Sequence, residues 1–168
     1  MEFNVNSFGI FDTDWALLTA GEKDNFNTMT ISWGGLGTLW GKPVATVYVK
    51  PVRYTHQFME QSDYFTVSFY AEEYKGALTL LGSRSGRDGD KVAAAGLTPI
   101  PVENAVTFRE AVVTLLCKKI YRQDLDTAAM PAEVVHNFYE EEAAHTMYIG
   151  EVVDIIEGSN DKDAAGRV

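Results

Sequence analysis

Hydrophobic and polar positions alternate with a period of two over much of the chain, and that alternation predicts a protein built mainly of short strands. Residues 15–19, 25–35, 43–50, 64–69, 112–121 and 147–156 read as strands, rich in β-branched and aromatic side chains and set apart by turn residues such as Gly41 and Lys42. Helical spacing interrupts them. Tyr54, Phe58 and Met59 recur at helical intervals within 53–61, residues 72–81 suit a helix that Gly82 ends, and 88–95 is alanine-rich and stopped by Gly96. Residues 123–144 are polar, contain Pro131 and hold one helical turn near 133–138, so they read as a long surface excursion that belongs to an interface. Strands at irregular spacing with helices between them predict a closed or half-closed antiparallel β-barrel with helical insertions rather than a parallel sheet. The domain is expected over 1–157, with 158–168 as a flexible tail.

One strand departs from the simple core pattern. In Asn25-Phe26-Asn27-Thr28-Met29-Thr30-Ile31-Ser32-Trp33, a period of two puts Phe26, Thr28, Thr30 and Ser32 on one face. Asn27, Met29, Ile31 and Trp33 share the other. The first face offers short hydroxyls beside a backbone that a flat polar ligand can approach; the alternative is a barrel strand with exposed threonines, since threonine is a good strand former. For Trp33, core and ligand roles stand level, whereas Tyr48 and Trp40 read as packing residues.

Composition narrows the frame. The 168 residues, 46% of them hydrophobic, fit one domain with a substantial core. A formal charge of -10 argues against a general nucleic-acid binder. No apolar run approaches a membrane helix, and the start Met1-Glu2-Phe3-Asn4 lacks the features of a signal peptide, so the expectation is a cytoplasmic protein without membrane contact. The single cysteine, Cys117, sits in an apolar run and reads as a buried, inert thiol.

Two further clusters carry chemistry. In Lys50-Pro51-Val52-Arg53-Tyr54-Thr55 a strand ends in a proline turn and delivers a guanidinium and a hydroxyl to a helix start, where a phosphate is favoured; a capped helix with solvated charges is the plain alternative. In Gly82-Ser83-Arg84-Ser85-Gly86-Arg87-Asp88-Gly89-Asp90-Lys91, glycines, serines and cations surround backbone N–H groups able to hold an oxyanion, or form a solvated surface loop. Neither G-x-x-x-x-G-K-[ST] nor G-x-G-x-x-G occurs. His56, His136 and His145 lie far apart without metal-ligand spacing, and no serine stands in a G-x-S-x-G elbow. No side-chain catalyst is apparent, so any reaction would be carried by a cofactor that the protein orients.

Taken in order, Trp15-x-Leu17-Leu18-Thr19, Phe26 to Gly34, Lys42-Pro43, Arg53-Tyr54-Thr55 and Ser85-Gly86-Arg87-Asp88-x-Asp90-Lys91 resemble the flavin reductase-like family, close to its flavoredoxin branch. The similarity runs to Tyr148-Ile149-Gly150-Glu151-Val152 and covers nearly the whole globular chain. It implies a Greek-key, FMN-binding split barrel, homodimeric, with the flavin at or near the subunit interface. Residue by residue, it implies that Asn27, Thr28, Met29, Thr30, Ser32 and Trp33 line the ring and ribityl side. Arg53, Tyr54 and Thr55 would meet the phosphate from one side, and Ser83, Ser85, Arg87 and Lys91 from the other. The implied activity is that of an NAD(P)H-dependent flavin reductase, with NADH or NADPH as electron donor and free flavin or a redox protein as acceptor. A flavoredoxin-type electron carrier without turnover of its own, and a barrel binding a non-redox ligand, stand as alternatives.

Overall fold

The computed structural model describes residues 5–158. A short helix α1 (Gly9–Asp12) precedes four strands, β1 (Ala16–Glu22), β2 (Asn25–Ile31), β3 (Gly34–Leu39) and β4 (Lys42–Val49). Helix α2 (Tyr54–Gln61) and strand β5 (Tyr64–Phe69) follow, then α3 (Lys75–Ser83) and α4 (Lys91–Ala94). A small hairpin, β6 (Pro99–Val102) and β7 (Ala105–Phe108), leads into the long strand β8 (Val113–Asp124). Helix α5 (Ala132–Phe138) and the long strand β9 (Thr146–Glu157) complete the order. Seven strands form one sheet in the order β2-β1-β5-β8-β9-β4-β3, and every pairing is antiparallel. Among the described residues no helix is long and apolar enough to cross a membrane.

The two ends of this sheet are consecutive strands. β2 and β3 are joined by only Ser32 and Trp33, yet each pairs on one side alone, β2 with β1 and β3 with β4. The barrel is therefore split between them, and among the described residues the outer edge of β2 keeps a row of backbone N–H and C=O groups without a neighbouring strand. Inside lies the main core, in which Leu18, Val47, Phe65, Val67 and Tyr148 are fully or almost fully buried, as is Cys117. Burial pushes that thiol up, out of the range of a reactive cysteine. A second cluster, with Leu17, Leu78, Leu81 and Phe108, clamps α3 against the other face of β1 and β2.

β4, α2, β5, α5 and β9 form within two residues of their expected limits, whereas β1 and β8 each run three residues further, the expected strand 25–35 breaks at Ser32 and Trp33, and β3, β6 and β7 were not anticipated. β3 carries three glycines in Gly34-Gly35-Leu36-Gly37, which conceal its period; it is held by pairing with β4 across the turn Trp40-Gly41, both residues at positive φ as a two-residue hairpin of the primed type requires. The β6 strand contains Pro99 and Pro101, which remove ladder donors, and it survives in a two-stranded ribbon apart from the main sheet. Helix α3 does not stop at Gly82 but runs to Ser83. A Cβ on Gly82 would lie 3.2 Å from the Thr30 Cβ, so its bare backbone lets the helix end settle against β2. Gly158 donates to the Val112 carbonyl, and the rest of the expected tail lies outside the described residues.

Candidate functional site

Two adjoining clefts, of about 320 Å³ and about 250 Å³, share Met29 and Arg53 and run along the split. The smaller one is walled by Arg53, Tyr54 and Thr55 at the start of α2 and by the loop from Ser83 to Lys91. Four cations, Arg53, Arg84, Arg87 and Lys91, gather there, and among the described residues none of them pairs with a carboxylate. In a chain of net charge -10 that is a local reversal of sign.

These cations already have work within the fold. Lys91 Nζ donates to the carbonyls of Leu81 and Arg84, at 2.9 Å each, and an Arg53 nitrogen donates to the Gly82 carbonyl at 2.8 Å. The last carbonyls of α3, which no further turn of helix would satisfy, are thus held by positive charge where the helix dipole is negative. Burial, with Arg53 nearby, pulls the Lys91 ammonium down to about 8. Arg87 stacks on the Tyr54 ring, 4.7 Å from its centroid, and its backbone N–H bonds the Ser85 hydroxyl. Asn27 donates to the Thr55 hydroxyl at 2.8 Å. Gly86 closes the corner: a Cβ there would fall 2.1 Å from Asn27 Oδ1, so only glycine lets the loop reach β2 this closely.

The larger cleft is lined by five consecutive residues, Met29 to Trp33, with Tyr48, Lys50, Arg53, Gly82, Phe138 and His145. Consecutive residues of a strand point to opposite faces, so a cavity touching Met29, Thr30 and Ile31 in turn lies along the edge of β2 rather than over one face. That edge is the unpaired one. At its far end Trp33 packs edge-on against Phe138, centroids 5.4 Å apart, and beside His145 at 5.2 Å. Burial, with Lys50 nearby, lowers the His145 pKa and keeps the ring neutral at pH 7; its Nδ1 is 2.9 Å from the Tyr139 hydroxyl. Lys50 bonds Glu142 and the Phe138 carbonyl, tying the excursion before β9 to the end of β4.

Of the residues expected at the site, the structure brings together Asn27, Met29, Thr30, Ser32, Trp33, Arg53, Tyr54, Thr55, Ser83, Ser85, Arg87 and Lys91. Thr28 is a correction. It is fully buried, its hydroxyl 2.8 Å from that of Thr19 and 3.2 Å from the Leu18 carbonyl, so it is consumed between strands and touches neither cleft. Thr30 lines the larger cleft, but its hydroxyl donates to the Leu78 carbonyl at 2.5 Å. The hydroxyl face of β2 thus turns toward α3, and the strand offers its edge, with Asn27 and Met29, to the clefts. Trp33 is half-exposed and belongs to the wall rather than the core. Tyr48, read from the sequence as packing, also lines the larger cleft. Phe138 and His145 escaped notice because they sit in or beside the polar excursion; two aromatic rings in so polar a stretch were the available signal.

The profile of the flavin reductase like domain family matches residues 8–166. The chain belongs to that family. No curated protein matches it, but several solved structures share its fold. The FMN-binding protein from Thermus thermophilus with bound 1-cyclohex-2-enone superposes with a TM-score of 0.70 at 19% identity, over 99% of this chain and 83% of the other. Flavoredoxin of Desulfovibrio vulgaris (Miyazaki F) gives 0.68 at 23% identity, over 95% and 78%. Flavoredoxin from Methanosarcina acetivorans gives 0.70 at 19% identity, over 95% and 75%. The fold is the antiparallel split barrel of these flavoproteins.

Proposed function

We propose that this flavin reductase-like protein binds FMN, with the phosphate at the cationic cleft and the ring along the free edge of β2. The observation that carries this reading is the junction of two environments: four cations without carboxylate partners at one end, and an unpaired strand edge leading to aromatic side chains at the other. A phosphate dianion needs the first, and a flat heterocycle with donors and acceptors along its rim suits the second. Arg53 spans both clefts and so stands at the join between ring and phosphate. Bound FMN would supply the redox chemistry, accepting a hydride from NADH or NADPH and passing electrons on. The chain's part is to hold the ring by backbone groups of β2, neutralise the phosphate, and keep the flavin in a partly dry cleft.

FMN-binding and flavoredoxin relatives support the cofactor, and they leave reductase and carrier as the two outcomes of one experiment. The purified protein should be yellow, and FMN should raise its melting temperature. A colourless protein that FMN does not protect against heat would overturn the reading in favour of a non-redox ligand. Anaerobic bleaching by NADH or NADPH marks a reductase; a bound flavin that bleaches only with dithionite marks a carrier. We further infer a homodimer, supported by the exposed ring pair Trp40 and Tyr121 and by exposed Val153, which sedimentation would test.

A further inference from the structure

The excursion between β8 and β9 is closed at its base and lightly packed along its length. The Leu125 N–H donates to the His145 carbonyl at 2.9 Å, directly after the last strand pair, Asp124 with Thr146, so residues 126–144 leave the barrel and return to it at one point. Helix α5, at the centre of this stretch, has no buried residue. A segment with so little packing opens more easily than the barrel beneath it. Two of its attachments stand at the larger cleft itself. One is the edge-on meeting of Phe138 with Trp33. The other is Lys50, whose ammonium bonds the Glu142 carboxylate at 2.5 Å and the Phe138 carbonyl at 3.3 Å. Both members of that ion pair are partly exposed, and a pair of this kind is weak.

We propose that the excursion is a cover latched over the ring cleft by Lys50 and Glu142, and that reduction of a bound flavin releases the latch. The inference rests on the proposed function. An oxidised flavin ring is uncharged; a hydride brings it two electrons and one proton, and the reduced ring is left with one negative charge. Among the described residues lining the larger cleft the cations are Lys50 and Arg53, and no carboxylate is there. Arg53 already donates to the Gly82 carbonyl, at the join with the phosphate cleft. Lys50 is therefore the cation that can change partner. The new charge acts on the latch twice, drawing the ammonium toward the ring and pushing the Glu142 carboxylate away. Both effects weaken a pair that was weak already. The cover is then closed at rest and open once electrons have arrived, so that access for an acceptor follows loading. Lys50 also acts as a positioning residue that tunes the flavin, because a cation beside the ring favours its anionic, reduced form.

The test is hydrogen exchange, followed by mass spectrometry, on the full-length protein loaded with FMN and held either oxidised or reduced by dithionite without air. Peptides within 126–144 should exchange at least about ten-fold faster in the reduced protein, while those of the barrel strands keep their rates. Glu142→Gln, at an exposed position, should give the fast exchange in both states and raise the reduction potential of the flavin, because Lys50 is released toward the ring. A ten-fold shift toward the reduced form corresponds to about 30 mV for a two-electron couple. Lys50→Met should also give fast exchange in both states, but with the potential lowered. A lysine that only fastens the excursion would loosen it and leave the potential where it was. Equal exchange in the oxidised and reduced native protein would overturn the proposal; an excursion covered by a second copy would give that result. Potentials that both variants leave unchanged, or move in the same direction, would overturn it as well. A protein that takes up no FMN would sink this inference together with the proposed function, and shows itself at the loading step. Uptake of FMN with exchange that ignores its redox state sinks this inference alone.

Discussion

The two ends of the cleft are built on different plans. At the cationic end most side chains have a second employment: Lys91 and Arg53 hold the carbonyls that finish α3, Asn27 holds Thr55, and Arg87 lies on Tyr54. At the aromatic end the rings of Trp33 and Phe138 are about half exposed and touch one another from two separate segments of chain. One end is shaped before any ligand arrives; the other keeps surface to cover. A site can therefore combine a fixed anchor with an adaptable surface, and substitutions should act differently at the two.

The largest effect is expected at the fixed end from Gly86→Ala. Its methyl meets Asn27 Oδ1, and overpacking of this kind costs about 1–3 kcal/mol, all of it charged to the loop conformation that binds. FMN affinity should fall by about 5- to 150-fold, with the melting temperature of the flavin-free chain changed by only a few degrees. Unchanged FMN affinity, measured by fluorescence titration, would show that the loop needs no close approach to β2. Next comes Lys91→Met, which removes a charged donor from two carbonyls and should cost about 1.5–3 kcal/mol, seen both as lower stability and as weaker FMN binding. A purely ligand-contacting lysine would alter binding alone.

A pH titration sharpens the same contrast. Because the folded Lys91 sits at about 8, below its ordinary 10.5, the folded chain binds fewer protons than the unfolded one between those values. Stability of the ligand-free chain from this group therefore rises with pH across that window, while affinity for the phosphate dianion falls as the cation is lost. FMN affinity should drop above pH 8 in the native chain, and Lys91→Met should flatten that drop; an equal slope in both would assign it to another group. Thr28→Val should cost about 1–3 kcal/mol of stability by stripping the Thr19 hydroxyl of its partner, with FMN affinity intact. Smallest of all is Phe138→Ala at the adaptable end, where a shifted flavin spectrum with affinity altered only a few-fold is expected. A large loss of affinity there would make the aromatic end an anchor as well.

How much of this the sequence disclosed follows from how local each feature is. Arg53-Tyr54-Thr55 and Ser83 to Lys91 are short runs whose residue types announce an anion, and the fold brings the two runs together. The hydroxyls of Thr28 and Thr30 were assigned to the wrong partner because a period of two tells which residues share a face and not what that face meets; Leu18 on the neighbouring strand and Leu78 on α3 decided that. Phe138 and His145 reach Trp33 only after the chain has traversed six further strands, counting from β3. No pattern around them records the meeting. Likewise, β3 is a strand by virtue of its partner β4, since Gly34-Gly35 and Gly37 give it no preference of its own.

The unpaired edge of β2 carries one more consequence. A row of free amides and carbonyls is a template for any passing strand, and in a barrel left open it is the natural point of entry for another chain of the same kind. A ligand lying along that row blocks the template. Synthesis outrunning cofactor supply would then be registered first as insoluble protein, and adding the flavin during expression, rather than afterwards, would decide the yield.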